Sequence, residues 1–186
     1  MTAELADLQQ QFSAIRMEAT GLVDGLNNGQ FNWRPEAGRW SISECLAHLN
    51  IVGERYLREL EPTVAEARER GCTGAGPFGR GWVGGWILAN TEPPPKRKFN
   101  ARRFRSVPAP DQPITAVLPT FLHLQERVAR LVESADGLDL GRIKVPAPGM
   151  GPVRLNLYAT LAWIAAHERR HLWQARQVRQ DGGFPR

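Results

Sequence analysis

Cysteine is scarce: the 186 residues hold two, Cys45 and Cys72, with no C-x-x-C spacing. That excludes an oxidised, disulfide-framed secreted scaffold. A chain of this length buries roughly 70% of the surface its unfolded form exposes, so neither a disulfide nor a metal is needed merely to hold it together. Long apolar runs are missing too, and none approaches the roughly 18 residues that a membrane span requires. The opening MTAELADLQQQFSAIRMEA is polar and helical rather than signal-like. The expectation is one cytoplasmic domain over residues 1–186, with no membrane partner.

Charge of one sign is concentrated in one place. The formal net charge is +5, and the segment KRKFNARRFRS, 96–106, carries six cations and no acid. It reads either as a solvated loop or as a clasp for phosphate or an acidic ligand, with Arg102 and Arg103 as the cofactor-binding candidates. Nucleic acid is not the expected partner. A duplex needs an extended cationic face, whereas these cations lie on one Pro-bounded connection and the helices interleave Glu and Asp with their Arg. A small-molecule anion fits better.

Apolar periodicity is helical throughout. Residues 4–26 place Leu5, Leu8, Phe12, Ile15, Met17, Leu22, Val23 and Leu26 at mostly helical spacing before the turn-forming GLNNGQ. Ser41-Ile42-Ser43-Glu44 reads as a capping box opening a second helix, with the stripe Ile42, Leu46, Leu49, Gly53, Tyr56 and Leu60. Residues 71–110 are rich in glycine and proline and form a long irregular connection, with room for a short helix around Trp82 to Ala89. A third helix spans roughly 113–135, where Pro119 is a candidate kink, and a fourth spans about 156–180. With no convincing strands, the fold class is all-α, an antiparallel four-helix bundle.

The fourth helix contains AWIAAHERRHLWQ, in which His167-Glu168-Arg169-Arg170-His171 spells H-E-x-x-H. The two histidines stand about 40° apart around the helix and face the bundle. Two readings are open at this point. Neutral imidazoles on adjacent turns can share a metal ion, or they can be a hydrogen-bonded core pair. The protease reading fails on its third ligand, because no His or Glu follows His171 and only Asp181 does. A third ligand must lie upstream. His123 projects about 140° from the centre of its helix's apolar face and reads as exposed. His48, on the flank of the second helix's stripe, is better placed. Three His from two helices with an open position are the ligand set of a catalytic or ligand-binding divalent metal rather than a closed structural site.

RPEAGRWSISECLAHL, 34–49, and HERRHLWQ, 167–174, together resemble the DinB / YfiT-like superfamily, whose second helix opens on a Trp-Ser-Ile-x-Glu-x-Leu-x-His-Leu run and whose last long helix carries His-x-x-x-His-x-x-Gln. The resemblance spans most of the chain apart from residues 71–110 and 137–154. It implies an up-down-down-up bundle, often dimeric, and places the metal triad on His48, His167 and His171, with nickel, zinc or iron as the ion. Characterised relatives include thiol-dependent transferases and isomerases along with metal-dependent hydrolases, so a low-molecular-weight thiol is an implied cofactor.

For chemistry, Glu168 is a candidate general base or ligand-orienting group, against an interhelical ion pair with one of the arginines. Gln174, one turn beyond His171, is a candidate partner for a metal-bound group, against a polar residue at the bundle edge. Cys45 reads as a buried small hydrophobe rather than a fourth ligand. Trp40, Trp82, Trp86, Trp163 and Trp173 read as core or loop anchors rather than a substrate box. A non-catalytic ligand-binding protein and a metal-clamped structural bundle are the alternatives to an enzyme.

Overall fold

The computed structural model describes residues 1–94, 106–147 and 152–186. Arg102 and Arg103 lie outside the described residues. Six helices and one small hairpin follow in the order α1 (Ala3–Val23), α2 (Asn28–Asn32), α3 (Ile42–Glu69), α4 (Gly81–Thr91), α5 (Ile114–Ser134), β1 (Lys144–Pro146), β2 (Arg154–Asn156) and α6 (Leu157–Arg179). The four long helices α1, α3, α5 and α6 are those the apolar periodicity predicts. Among the described residues, no helix is long and apolar enough to cross a membrane.

Cross-helix pairs give the directions. Gln11 of α1 meets Arg169 of α6 and Glu18 meets Arg176, so α1 and α6 run parallel. Asn50 of α3 donates to Val117 O of α5 at 3.0 Å, and Glu61 binds Arg127 at 2.8 Å, so α3 and α5 are also parallel. Gln9 with Glu133, and Arg16 with Glu126, run oppositely along α1 and α5. The bundle is therefore up-down-down-up. Its core runs through the buried stripes Leu5, Leu8, Phe12, Ile15 on α1, Leu46, Leu57, Leu60 on α3 and Phe121, Val128, Val132 on α5. Met17, predicted within the first stripe, is 72% exposed. It falls out of step with Phe12, Ile15 and Ala19, the residues that keep the helical repeat on the buried side.

One further departure from the sequence reading has a local cause. A strand pair exists after all: β1 and β2 are antiparallel, with Val145 opposite Leu155. Each strand is three residues long and buries only its central side chain, too short an alternation to stand out from the flanking prolines and glycines. Helix α5 contains Pro119 in its second turn.

Helix α4 lies along α6. A Cβ on Gly84 would sit 2.9 Å from the Ala159 Cβ, so glycine is what permits this close approach. Asn156 Nδ2 donates to Gly79 O at 2.7 Å, fastening the chain just before α4 to the start of α6. The tryptophans of α4 are not anchors: Trp82 is 86% and Trp86 51% exposed, because Gly84 and Ile87 take the buried side of this helix.

Candidate metal centre

Local chemistry fixes the first histidine. Glu44 N donates to Ser41 Oγ at 3.1 Å and Ser41 N donates to Glu44 Oε2 at 2.9 Å, so the predicted capping box forms. Arg34 then grips the same carboxylate through Nε and Nη2 at 2.8 and 2.6 Å. With the start of α3 held in this way, His48 projects one turn further into the bundle, 5% exposed. Trp40, immediately before the cap, packs against His48 at 5.0 Å and stacks on His171 at 5.7 Å between ring centroids. On the other side Trp163 stacks on His167 at 4.8 Å. Trp40 and Trp163 thus wall the histidines.

His48, His167 and His171 converge, each offering a ring nitrogen within 4.8 Å of the others'. His48 Nδ1 lies 2.7 Å from Ser106 O. A carbonyl only accepts, so Nδ1 carries the hydrogen and Nε2 keeps its lone pair. That Nε2 faces His167 Nε2 at 3.3 Å. A tetrahedral ion with metal–nitrogen bonds of about 2.0–2.1 Å holds its ligand nitrogens roughly 3.3 Å apart, so the pair has the right spacing. His171 Nδ1 is buried without a hydrogen-bond partner, a polar atom whose burial is otherwise uncompensated. The donor set fits a divalent ion. His167, unlike His48 and His171, is only half-buried as a residue.

Electrostatics agree with that donor set. Burial, aided by His48 and Arg170, pushes His167 down to about 3. Burial holds His171 well below 6.5, reinforced by His167, His48 and Arg170 and opposed by Gln174. His48 is lowered by burial against the opposing Ser106 carbonyl. All three imidazoles are neutral near pH 7, the form that ligates metal.

The other candidates fall as follows. Gln174 is half-buried against His171. Glu168 is 4% exposed and accepts from Gln125 Nε2 at 2.8 Å, so its partner is an amide on α5 and not an arginine. Burial raises its carboxyl to about 8, with Gln125 and Arg169 opposing, and Oε2 has no hydrogen-bond partner. Its carboxylate is not part of the histidine cluster. Cys45 is fully buried, its thiol pushed up by burial and by Glu44, and it is not in the cluster either. His123 is exposed. Gln125 is the site neighbour that sequence reasoning missed. Its signal was a polar residue inside the stripe Phe121, Leu124, Val128. A cleft of about 580 Å³ lined by Gln11, Arg80, Glu92 and Arg169 opens elsewhere, on the side of α6 turned away from His167, and Arg169 is already taken by Glu92 and Gln11.

A pH signature follows for the metal-free protein. The histidines are depressed below 6.5, so the stability they contribute is present above about pH 6.5. It is lost as pH falls toward about 3, at about 1.4 kcal/mol per pH unit for each ring that protonates only in the unfolded chain. Glu168 is raised, so its contribution is present below about 4.5 and lost as pH rises toward about 8. Thermal midpoints measured in chelator across pH 4 to 9 are expected to peak near about pH 6.5. A midpoint unchanged between pH 6.5 and 5 would contradict the buried neutral triad.

The helical bundle and its three-histidine cluster define a class of protein whose interhelical site is compatible with a divalent ion. Residues 11–175 match the family model described as the DinB superfamily, and the chain belongs to that superfamily. Neither a search of curated proteins nor one of solved structures returned a match.

Proposed function

We propose that this protein holds a divalent ion, nickel, zinc or iron, on His48, His167 and His171 and acts with it on a small molecule. The reaction class is thiol-dependent S-transfer or isomerisation, or hydrolysis. The observation that carries the reading is the convergence of three neutral imidazoles from two helices. Bound there, a divalent ion supplies Lewis acidity and favours the deprotonated form of a coordinated thiol or water. The chain's own residues do the rest. His48 is oriented by Ser106 O, Trp40 and Trp163 exclude water from two sides, and Gln174 stands where it can hydrogen-bond a ligand beside His171. Glu168 holds α6 to α5 through Gln125 on Oε1, which leaves Oε2, without a hydrogen-bond partner, as the oxygen that would serve as a base. Arg102 and Arg103 belong to this reading as captors of an acidic thiol or substrate. The proposed setting is the cytoplasm, the proposed assembly a homodimer, and the proposed ligand a small molecule rather than nucleic acid.

The test is the metal content of untagged protein together with a thiol-conjugation screen on small electrophiles. Expected are close to one ion per chain and electrophile consumption that needs the thiol, stops in chelator and returns with metal. The same protein should leave casein and peptide libraries intact, since the third member of the cluster is His48 of α3 and not a residue downstream of H-E-x-x-H. Cleavage that is metal-dependent and abolished by Glu168→Gln would overturn the reading in favour of a protease.

A further inference from the structure

The cleft of about 580 Å³ between α1, α4 and α6 has the size and make-up of a small-molecule site. Gly85, Leu88 and Ala89 of α4 and Ala162 of α6 give it an apolar lining. At one end Arg169 is held by Glu92, through Nε and Nη2, and by Gln11 Oε1, through Nη1 at 2.7 Å. The charges of Arg169 and Glu92 cancel there. Arg80 lines the other end, about 18 Å before Glu92 along α4. Its guanidinium lies 5.6 Å from the centre of the Tyr158 ring, and Asn156 Nδ2 holds the preceding carbonyl, Gly79 O, at 2.7 Å. Arg80 is thus positioned on the start of α6, yet among the described residues no carboxylate pairs with it. It leaves the cleft with one uncancelled positive charge.

Gly85 points the same way. Gly84 is bare because a Cβ there would meet Ala159, but a Cβ on Gly85 would meet nothing within 4 Å, and its φ is not positive. Neither packing nor backbone geometry asks for glycine at this position, and glycine inside a helix is destabilising relative to alanine. What the missing side chain leaves is cleft. We propose that this cleft is a binding site for a small monocarboxylate with an apolar tail, the carboxylate on Arg80 and the tail along Gly85, Leu88 and Ala162. With five N–H donors, Arg80 meets a carboxylate through two parallel N–H···O bonds. The site lies on the side of α6 turned away from the histidines and needs no metal.

The experiment is a calorimetric titration of the full chain with octanoate in the presence of chelator, with acetate and octan-1-ol as probes of the head and the tail alone. Octanoate is expected to bind saturably at about millimolar concentration, and about tenfold or more tighter than either partial probe. Arg80→Gln should weaken octanoate by about tenfold, the low end for a hydrogen bond between charged groups. Gly85→Leu should weaken it by about tenfold or more, because the new side chain takes the place of the tail. Its thermal midpoint should hold or rise, since a glycine has left a helix, which separates a filled cleft from a damaged fold. Wild-type octanoate affinity in either variant, octan-1-ol binding as tightly as octanoate, or no saturable octanoate binding by the wild type would overturn the proposal. With chelator present throughout, such a failure leaves metal binding at the histidines untouched.

Discussion

Replacing His48 with alanine is expected to weaken divalent-ion binding by more than about a hundredfold, since even the loss of an outer partner of a ligand costs about 10–100-fold. His167→Ala and His171→Ala should do the same. The reasoning is geometric: His48 reaches the other two from a different helix, with Nε2 turned to His167 Nε2 at 3.3 Å and Nδ1 engaged by Ser106 O. Removing it leaves two histidines of one helix and an incomplete donor set. His123→Ala is the control, since that ring is exposed and is not part of the cluster. Stability should follow binding, because an ion present at a hundred times its Kd stabilises the folded chain by about 2.7 kcal/mol. Metal content after dialysis, Co²⁺ titration and melting with and without metal check this. Equal metal content in wild type and His48→Ala would sink the triad.

The second large effect is expected in the core. Gln125→Leu removes the hydrogen-bond partner that Glu168 has, at 2.8 Å, from a carboxyl that is 4% exposed. A buried polar group stranded in this way costs about 1–3 kcal/mol, and more when charged. Replacing both partners, Gln125→Leu with Glu168→Leu, should recover most of that loss, since Gln125 Oε1 and Glu168 Oε2 already lack partners in the native core. Metal affinity should stay within about twofold of wild type in all of these variants, because the pair stands apart from the histidine cluster. Chemical denaturation of wild type, Gln125→Leu, Glu168→Leu and the double variant gives the coupling directly. A double variant less stable than Gln125→Leu would show that the carboxyl is worth more to the fold than its hydrogen bond.

Much of this architecture was legible in the residues because it is local. Four long helices follow from apolar spacing that repeats every 3.6 residues, and the start of α3 follows from Ser41 and Glu44, whose mutual hydrogen bonds span three positions. His167 and His171 share a face because they stand four apart on one helix. The RPEAGRWSISECLAHL and HERRHLWQ runs resemble the family to which the chain belongs. Three-residue strands escaped notice because a period of two cannot show itself over so few positions.

What depends on partners far along the chain had to wait for the tertiary structure. Glu168 could be placed on α6 but not paired, because Gln125 lies 43 residues away and its meaning comes only from the packing of α5 on α6. Trp40 and Trp163 became walls of the histidine cluster, while Trp82 and Trp86 of the same residue type turned outward. Arg170 looked like one arginine among many until α4 settled against α6 and put Asn90 O beside it. The sequence by itself determined the helices, their faces and which histidines could ligate. The tertiary structure alone decided what surrounds them, because desolvation and hydrogen-bond partnership are properties of neighbours that the chain brings together only by folding.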